Sequence, residues 1–314
     1  MATADSDTEL SRRSRLSRFA MIAIPYAWLL VFFLVPFLIV FKISFSSYAI
    51  SIPPYEPVFD LFADGWATTW ENIQLFSTDT YQSLFEDSLF IRAYLSSVWI
   101  AAISTLLTLL VAYPMAYGMA RAPKAWRPTL VMLVILPFWT SFLIRVYAWI
   151  GILSREGLLN QALAFLGLID PANPPTLLNT DFAVYIGIVY SYLPFMVLPL
   201  YAALEKMDET LLEAAADLGC PPWKAFWTIT FPLSIPGVVA GCFLVFIPAT
   251  GEYVIPSLLG GSNTLMIGRV LWDVFSADRD WPMASAVAVI LLLVLVIPIV
   301  IFQNQQQKMQ EEGK

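Results

Sequence analysis

The chain has 314 residues, of which 59% are apolar and only 13% are charged, and its mean hydropathy is +0.71. Soluble domains carry about 25% charged residues, so this composition excludes an ordinary soluble domain and predicts an all-α integral membrane protein. Histidine is absent and there are two cysteines, which argues against a zinc centre, a histidine acid or base, and a disulfide framework. The sequence also lacks a G-x-x-x-x-G-K-[ST] phosphate loop. We therefore expect a non-enzymatic chain that hydrolyses no nucleotide itself.

Apolar runs of spanning length predict six transmembrane helices within residues 19–303. Residues 1–18 form a polar, arginine-containing tail. The run after it has spanning length and no small-residue cleavage site, which indicates a retained first helix and not a signal peptide. The long segment 42–90, rich in proline and aromatic residues, is predicted to fold as a cap, and a second polar tail begins at 304. The six predicted spans are 19–41, 91–119, 129–153, 181–204, 232–257 and 283–303, and the C-terminal tail is 304–314.

Lysine and arginine predict the orientation of these spans. With the N-terminus inside, eleven basic residues lie on the cytoplasmic side and five on the opposite side, so both termini are expected in the cytoplasm and segment 42–90 in the periplasm. The outer segments also carry thirteen acidic residues. This excess either concentrates cations at the outer face or reflects the small influence of Asp and Glu on topology.

The most regular polar stretch is a helix, bend and helix pattern between the fourth and fifth predicted spans. Residues 208–218 are mostly good helix formers with apolar side chains at helical spacing, which predicts a short amphipathic helix. Gly219 is suited to end that helix in a left-handed conformation, and Pro221-Pro222 to begin a second one. The aromatic residues of 223–227 predict a second short helix that does not span the membrane.

The spacing in this stretch resembles the EAA loop of permeases of ATP-binding-cassette (ABC) importers. The family pattern is Glu-Ala-Ala, three residues, Gly, nine residues, Ile, one residue, Leu-Pro, and Phe231 stands where the family has Leu. In that family the loop docks on a cytoplasmic ATPase, so the resemblance implies a coupling loop at 205–231. The alternative is an ordinary amphipathic helix at the membrane interface. The implied coupling residues are Glu213, Ala214, Ala215, Gly219, Lys224, Ile229 and Pro232.

Two ionisable side chains lie inside predicted spans, Arg145 in the third and Glu252 in the fifth. A charge inside a span is costly unless it faces a polar cavity or a partner, so each is a functional candidate. Glu252 lies beside Tyr253 in a run broken by proline and glycine, which suits a passing ammonium group. Alternatively, Glu252 and Arg145 form a structural ion pair, or Arg145 reaches the outer interface. The candidate substrate-path residues are Trp139, Arg145, Tyr192, Glu252 and Tyr253.

Further stretches are similar to the polyamine branch of type I ABC importer permeases, namely 135–147, 193–201, 251–261 and 279–282. The resemblance implies a MetI-like fold of six transmembrane helices with cytoplasmic coupling helices, placed in the bacterial inner membrane. It also implies import of a polyamine, putrescine first and spermidine next, by alternating access. ATP and Mg²⁺ would be used by the partner ATPase, and this chain itself would bind no cofactor.

The implied assembly joins this subunit to a second homologous permease, two copies of the ATPase and a periplasmic polyamine-binding protein, within the lipid bilayer and without nucleic acid. Other functions stay open at this point. A permease of the same class for another cationic solute or for an anion is one, and a membrane scaffold that only docks the ATPase is another. A secondary transporter working alone is a third, but it would not need an EAA loop.

Overall fold

The computed structural model describes residues 21–58 and 66–312, without the side chains of 66–69, 297–298 and 301–312. The predicted tail at 1–18 lies outside the described residues. The regular secondary structure of the described part is helical apart from one short antiparallel hairpin. Its elements are α1 Met21–Ile43, β1 Ser47–Tyr48, β2 Tyr55–Glu56, α2 Trp66–Gln74, α3 Asp79–Glu86, α4 Ser88–Arg121, α5 Arg127–Trp139, α6 Phe142–Leu153, α7 Leu158–Phe165, α8 Asp181–Glu205, α9 Thr210–Asp217, α10 Pro222–Thr250, α11 Val254–Leu259, α12 Ile267–Ser276 and α13 Trp281–Glu312.

Four of the described helices, α1, α4, α8 and α10, are long and apolar enough to cross a membrane without a break. The predicted third span, 129–153, is instead broken, because α5 and the following stretch Phe142–Phe165 meet at an angle of 87°. Pro137 cannot donate a helical hydrogen bond, and the backbone becomes extended at Thr140. The sixth predicted span lies in α13, whose described apolar part is Trp281–Val296.

The predicted fifth span, 232–257, has different bounds in the structure. Helix α10 begins ten residues earlier, at Pro222, and ends at Thr250. A separate short helix, α11, follows after a break at 251–253. The expected interruption near Glu252 is therefore present, but it ends the long helix and does not merely kink it. The last helix, α13, continues through most of the predicted tail, 304–314.

Residues up to Glu86 and from Val274 onward form one compact unit, the terminal unit. In its described part, segment 42–90 contains the β1–β2 hairpin and helices α2 and α3, in keeping with a folded cap. Lys42 Nζ donates to the carbonyl oxygen of Pro57 at 2.8 Å. Tyr81 Oη lies 2.7 Å from Ser44 Oγ, which links α3 to the end of α1.

Residues Asp87–Asp273 form the second compact unit, the central unit, which contains every predicted site residue. Helices α4, α8 and α10 supply most of its two buried apolar clusters. Helix α10 approaches α8 closely at Gly237 and Gly241, which have the Gly-x-x-x-Gly spacing typical of membrane helix interfaces. A Cβ atom on Gly237 would lie 2.8 Å from the carbonyl oxygen of Pro199. Small residues thus allow direct backbone contact between α8 and α10.

Candidate functional site

Helix α9 is the predicted coupling helix, and local sequence determines where it begins. The Asp208 carboxylate accepts a hydrogen bond from the backbone N–H of Thr210, with 3.0 Å between N and Oδ1. This bond satisfies one of the N–H groups that a helix start leaves without a partner. Hydrogen bonds from Thr210, the backbone one first, lower the pKa of Asp208. The carboxylate therefore stays ionised beside the positive end of the helix dipole.

The end of α9 is closed by a Schellman motif at Gly219. The Gly219 N–H donates to Ala216 O at 2.9 Å, and the Cys220 N–H donates to Ala215 O at 2.9 Å. Gly219 has a φ of +74°, a conformation that costs little only for glycine. The left-handed cap expected from the sequence is therefore present, and it sets the direction in which the chain leaves α9.

The surface of α9 and the following turn is suited to contact another protein. Glu213 and Ala214 are exposed, whereas Ala215 is buried. Leu218 is 87% exposed and Trp223 is 72% exposed. Large apolar side chains exposed together on a polar segment are typical of a protein interface. We call α9 together with Leu218–Lys224 the docking surface.

The second half of the predicted coupling loop is not a separate helix. It is the first part of α10, which runs without interruption from Pro222 through Pro232 into the membrane-spanning stretch. The fifth span is predicted to begin at Pro232, which lacks an N–H and would clash in a regular α-helix with the carbonyl four residues earlier. The structure accommodates it with a wider π-helical turn at Phe226–Thr230. Ile229 is half-buried on this turn, and Lys224 and Pro232 are exposed.

Aromatic side chains attach the start of α10 to α4. The Tyr113 ring lies 5.5 Å from the Phe226 ring and 6.0 Å from the Phe231 ring, between centroids. Tyr113 Oη also lies 2.8 Å from Ser234 Oγ. Sequence analysis did not identify Tyr113, because it lies 113 residues before Phe226 and no local pattern marks the contact. Phe231, the departure from the family pattern, is part of this aromatic group.

The candidate path residues Tyr192 and Glu252 are in direct contact. Glu252 is 8% exposed and lies in the break between α10 and α11. Its Oε2 accepts a hydrogen bond from Tyr192 Oη at 2.5 Å. Its Oε1 accepts hydrogen bonds from the backbone N–H groups of Val254 at 3.0 Å and Ile255 at 3.4 Å. Glu252 therefore caps α11 and ties the break to α8.

Arg145 has backbone partners at the bend between α5 and α6. It is 9% exposed, and its Nη1 donates to the carbonyl oxygen of Pro137 and, at 2.7 Å, to that of Thr140. The Pro137 carbonyl oxygen also accepts hydrogen bonds from the N–H and the hydroxyl group of Thr140, so Arg145 binds the turn in which α5 ends. Among the ion pairs of the described residues, none joins Arg145 to Glu252. The alternative of a structural pair between them is therefore not realised in this structure.

Two aromatic rings connect the Arg145 bend to the Glu252 break. The Phe138 ring lies 5.4 Å from the Arg145 guanidinium carbon and 5.2 Å from the Phe195 ring. The Phe195 ring lies 6.1 Å from that of Tyr192. Sequence analysis missed both phenylalanines, because aromatic residues are frequent in every span. The other two candidates lie apart from this row: Trp139 is 71% exposed, and Tyr253 packs on Trp272 with 5.0 Å between rings.

Comparison with known families identifies the class of the chain. Residues 90–310 match the family of binding-protein-dependent transport system inner membrane components. The chain is a member of this family. It is accordingly a multi-pass inner-membrane permease subunit of an ABC importer that works with a binding protein, and it is not an enzyme. The resemblance to ABC importer permeases is confirmed.

Two relatives in this family are similar along most of the chain. One is the spermidine/putrescine transport system permease protein PotB of Haemophilus influenzae, 39% identical over 269 residues that cover 85% of this chain and 86% of the relative. The other is PotB of Escherichia coli, 44% identical over 214 residues, or 68% of this chain and 77% of the relative.

A solved structure confirms the predicted all-α permease fold. The crystal structure of a bacterial ABC transporter involved in the import of the acidic polysaccharide alginate superposes with a TM-score of 0.67, over 96% of this chain and 98% of that one. The sequences are 18% identical, so the similarity concerns the fold and not the solute.

Proposed function

We propose that this chain is one of two permease subunits of an ATP-driven importer of polyamines, with putrescine as the preferred solute. The names of the relatives support a polyamine. The observation that carries the proposal is the buried carboxylate of Glu252, placed in a helix break within the membrane part of the chain. A negative charge at this position would attract a cationic solute and repel an anionic one.

The hydrogen bonds of Glu252 suit transient binding of an ammonium group. A carboxylate offers about four lone-pair positions, and Tyr192, Val254 and Ile255 occupy three of them. One position is left for a donor from the solute. A site that is only partly free binds weakly enough to release its solute, as a transport path requires.

The docking surface is the part of the chain that would link it to an ATP-hydrolysing partner. We propose that a cytoplasmic ATPase, present in two copies and using ATP with Mg²⁺, receives α9 in a groove and contacts Leu218 and Trp223. Because α10 is continuous from Pro222 to Thr250, motion of the docked segment reaches the Glu252 break. This arrangement supports alternating access, in which the path opens to one side at a time.

The remaining parts of the proposal concern placement and partners. Both termini and the docking surface would lie in the cytoplasm, and the described cap of the terminal unit in the periplasm, as the distribution of lysine and arginine predicts. A second homologous permease would complete the path. A periplasmic polyamine-binding protein would deliver the solute.

Uptake by the reconstituted complex tests the solute and the role of Glu252. Vesicles containing both permeases, the ATPase and the binding protein should import labelled putrescine, with spermidine as a weaker competitor. Glu252→Gln keeps an oxygen that can accept hydrogen bonds but removes the charge, and it should reduce the uptake rate by about ten- to hundredfold, the worth of one charged hydrogen bond. Glu156→Gln removes a charge from an exposed residue and should have no effect. Unchanged putrescine kinetics in Glu252→Gln would refute the path role.

A further inference from the structure

Four charged side chains join two turns at the same end of the central unit. One turn, 122–126, connects α4 to α5, and the other, 206–209, connects α8 to α9. Arg121 Nη1 lies 3.5 Å from Glu209 Oε1. Arg127 lies 3.7 Å from Glu205 through Nη1 and 3.9 Å from Glu209 through Nη2, both measured to Oε1.

The two arginines are held in place from their own side. Arg127 Nε donates to the carbonyl oxygen of Ala122 at 2.9 Å, which closes the turn between α4 and α5. The Arg121 guanidinium carbon lies 5.4 Å from the centre of the Tyr117 ring. The Arg127 side chain is 15% exposed and that of Arg121 is 27% exposed, against 62% for Glu209. The two arginine side chains are therefore held in place, whereas the Glu209 side chain lies largely in solvent.

Glu209 occupies the position directly before the docking helix. It is the residue that precedes Thr210, the first residue of α9. The hydrogen bonds within the 206–209 turn are local, such as Met207 N to Leu204 O at 3.4 Å. A turn held only by such bonds can bend when α9 is displaced. The ion pairs from Arg121 and Arg127 oppose this bending because they tie Glu209 to a different pair of helices.

We propose that Arg121, Arg127, Glu205 and Glu209 form an ion-pair latch that makes α9 and the α4–α5 turn move together. This inference rests on the proposed docking of an ATPase at α9. Displacement of α9 then reaches α4, the longest described helix, as well as α10. Without the latch, part of the displacement is absorbed in the 206–209 turn. The four residues are thus positioning residues for coupling and do not contact solute or nucleotide.

The latch also has room for a second arrangement. Among the described residues, Arg121 Nη2 is buried without an acceptor. A buried donor of this kind is costly until it finds a partner. The second carboxylate oxygen of Glu209 is in none of the described ion pairs, and a shift of α9 that brought it to Arg121 would supply such a partner.

A double-mutant cycle on the assembled transporter tests the latch. Arg127→Gln and Glu209→Gln should each leave assembly and ATP hydrolysis stimulated by the binding protein intact. Each should lower solute imported per ATP by about two- to fivefold, as the loss of a partly exposed ion pair predicts. The double variant should lose less than the two single effects combined, because the Arg127–Glu209 pair is removed by both single variants. Arg127→Lys should restore part of the coupling. Lys124→Gln, in the same turn but in none of the described ion pairs, should match wild type.

The salt dependence of import per ATP distinguishes this coupling role from a purely structural one. Raising KCl from about 0.05 M to about 0.5 M shortens the screening length severalfold, so import per ATP should fall in wild type and change little in Glu209→Gln. The latch would be overturned if Glu209→Gln imported as much solute per ATP as wild type. It would also be overturned if the effects of the two single variants added fully in the double variant. A wild-type complex in which ATP hydrolysis drives no import would instead refute the proposed function on which the latch rests.

Discussion

Replacing Gly219 by alanine should uncouple the permease from its ATPase while leaving the membrane part folded. Gly219 has a φ of +74°, and a residue with a Cβ atom in that region costs about 1–2 kcal/mol. No atom lies within 4 Å of a Cβ built there, so the cost comes from the backbone and not from a clash. The chain can avoid it only by leaving the Schellman motif, which would reorient Leu218 and Trp223 on the docking surface.

Gly167 provides a matched control in the turn that ends α7. Its φ is +71°, it too has open space around a Cβ, and its N–H donates to Ala164 O as that of Gly219 does to Ala216 O. Gly167→Ala should therefore lose a similar amount of stability without touching the docking surface. Gly219→Asn should be milder than Gly219→Ala, because asparagine tolerates the left-handed region.

The assay compares thermal stability with ATP hydrolysis stimulated by the solute-loaded binding protein. Both alanine variants should unfold at slightly lower temperature in detergent, and only Gly219→Ala should lose stimulated hydrolysis and uptake. Equal stimulation in the two variants would refute the reasoning that the cap orients the docking surface. Loss of stimulation in Gly167→Ala alone would refute it as well.

Three further variants have defined outcomes. Gly237→Ala should destabilise the permease by about 1–3 kcal/mol, seen as a lower unfolding temperature, because its Cβ would lie 2.8 Å from the Pro199 carbonyl oxygen. Arg145→Met should cost about 1.5–3 kcal/mol in the same assay and lower uptake of cationic and neutral solutes alike; selective loss of cation uptake would instead indicate a path role. Burial first, and the charge of Asp278, raise the pKa of Asp280. Its contribution to stability is therefore complete below the unfolded pKa of about 3.9 and declines as pH rises through the folded value. Asp280→Asn should keep the hydrogen bond that the Asp280 side chain accepts from the Met283 N–H at the start of α13. It should remove that decline in unfolding scans as pH rises above about 3.9.

Features set by neighbouring residues could be predicted from the sequence. The cap at Gly219 follows from a helical pattern that meets a glycine and two prolines, and the motif in the structure is the expected one. The break near Glu252 follows likewise from the clustered proline and glycine. Both depend on backbone restrictions that act within a few residues.

Features set by distant residues could not be predicted. Glu252 and Tyr192 are 60 residues apart, and nothing local indicates that one hydroxyl reaches the other. The fifth span is predicted to begin at Pro232, whereas the helix begins at Pro222 and continues past Pro232 by way of the π-helical turn at Phe226–Thr230. The third span was predicted unbroken because apolar composition is the same on both sides of Thr140. The contacts of Arg145 with the carbonyl oxygens of Pro137 and Thr140, which help to stabilise the bend, come from a side chain beyond the break.

The continuity of α10 has a mechanical consequence. At about 1.5 Å per residue, its 29 residues form a rod roughly 43 Å long. A tilt of about 5° at the docked end would therefore sweep the far end, next to Glu252, through roughly 4 Å, close to the width of an ammonium group. If an ATPase docks at α9 as proposed, a small movement at its surface would become a larger displacement at the end of α10 next to Glu252.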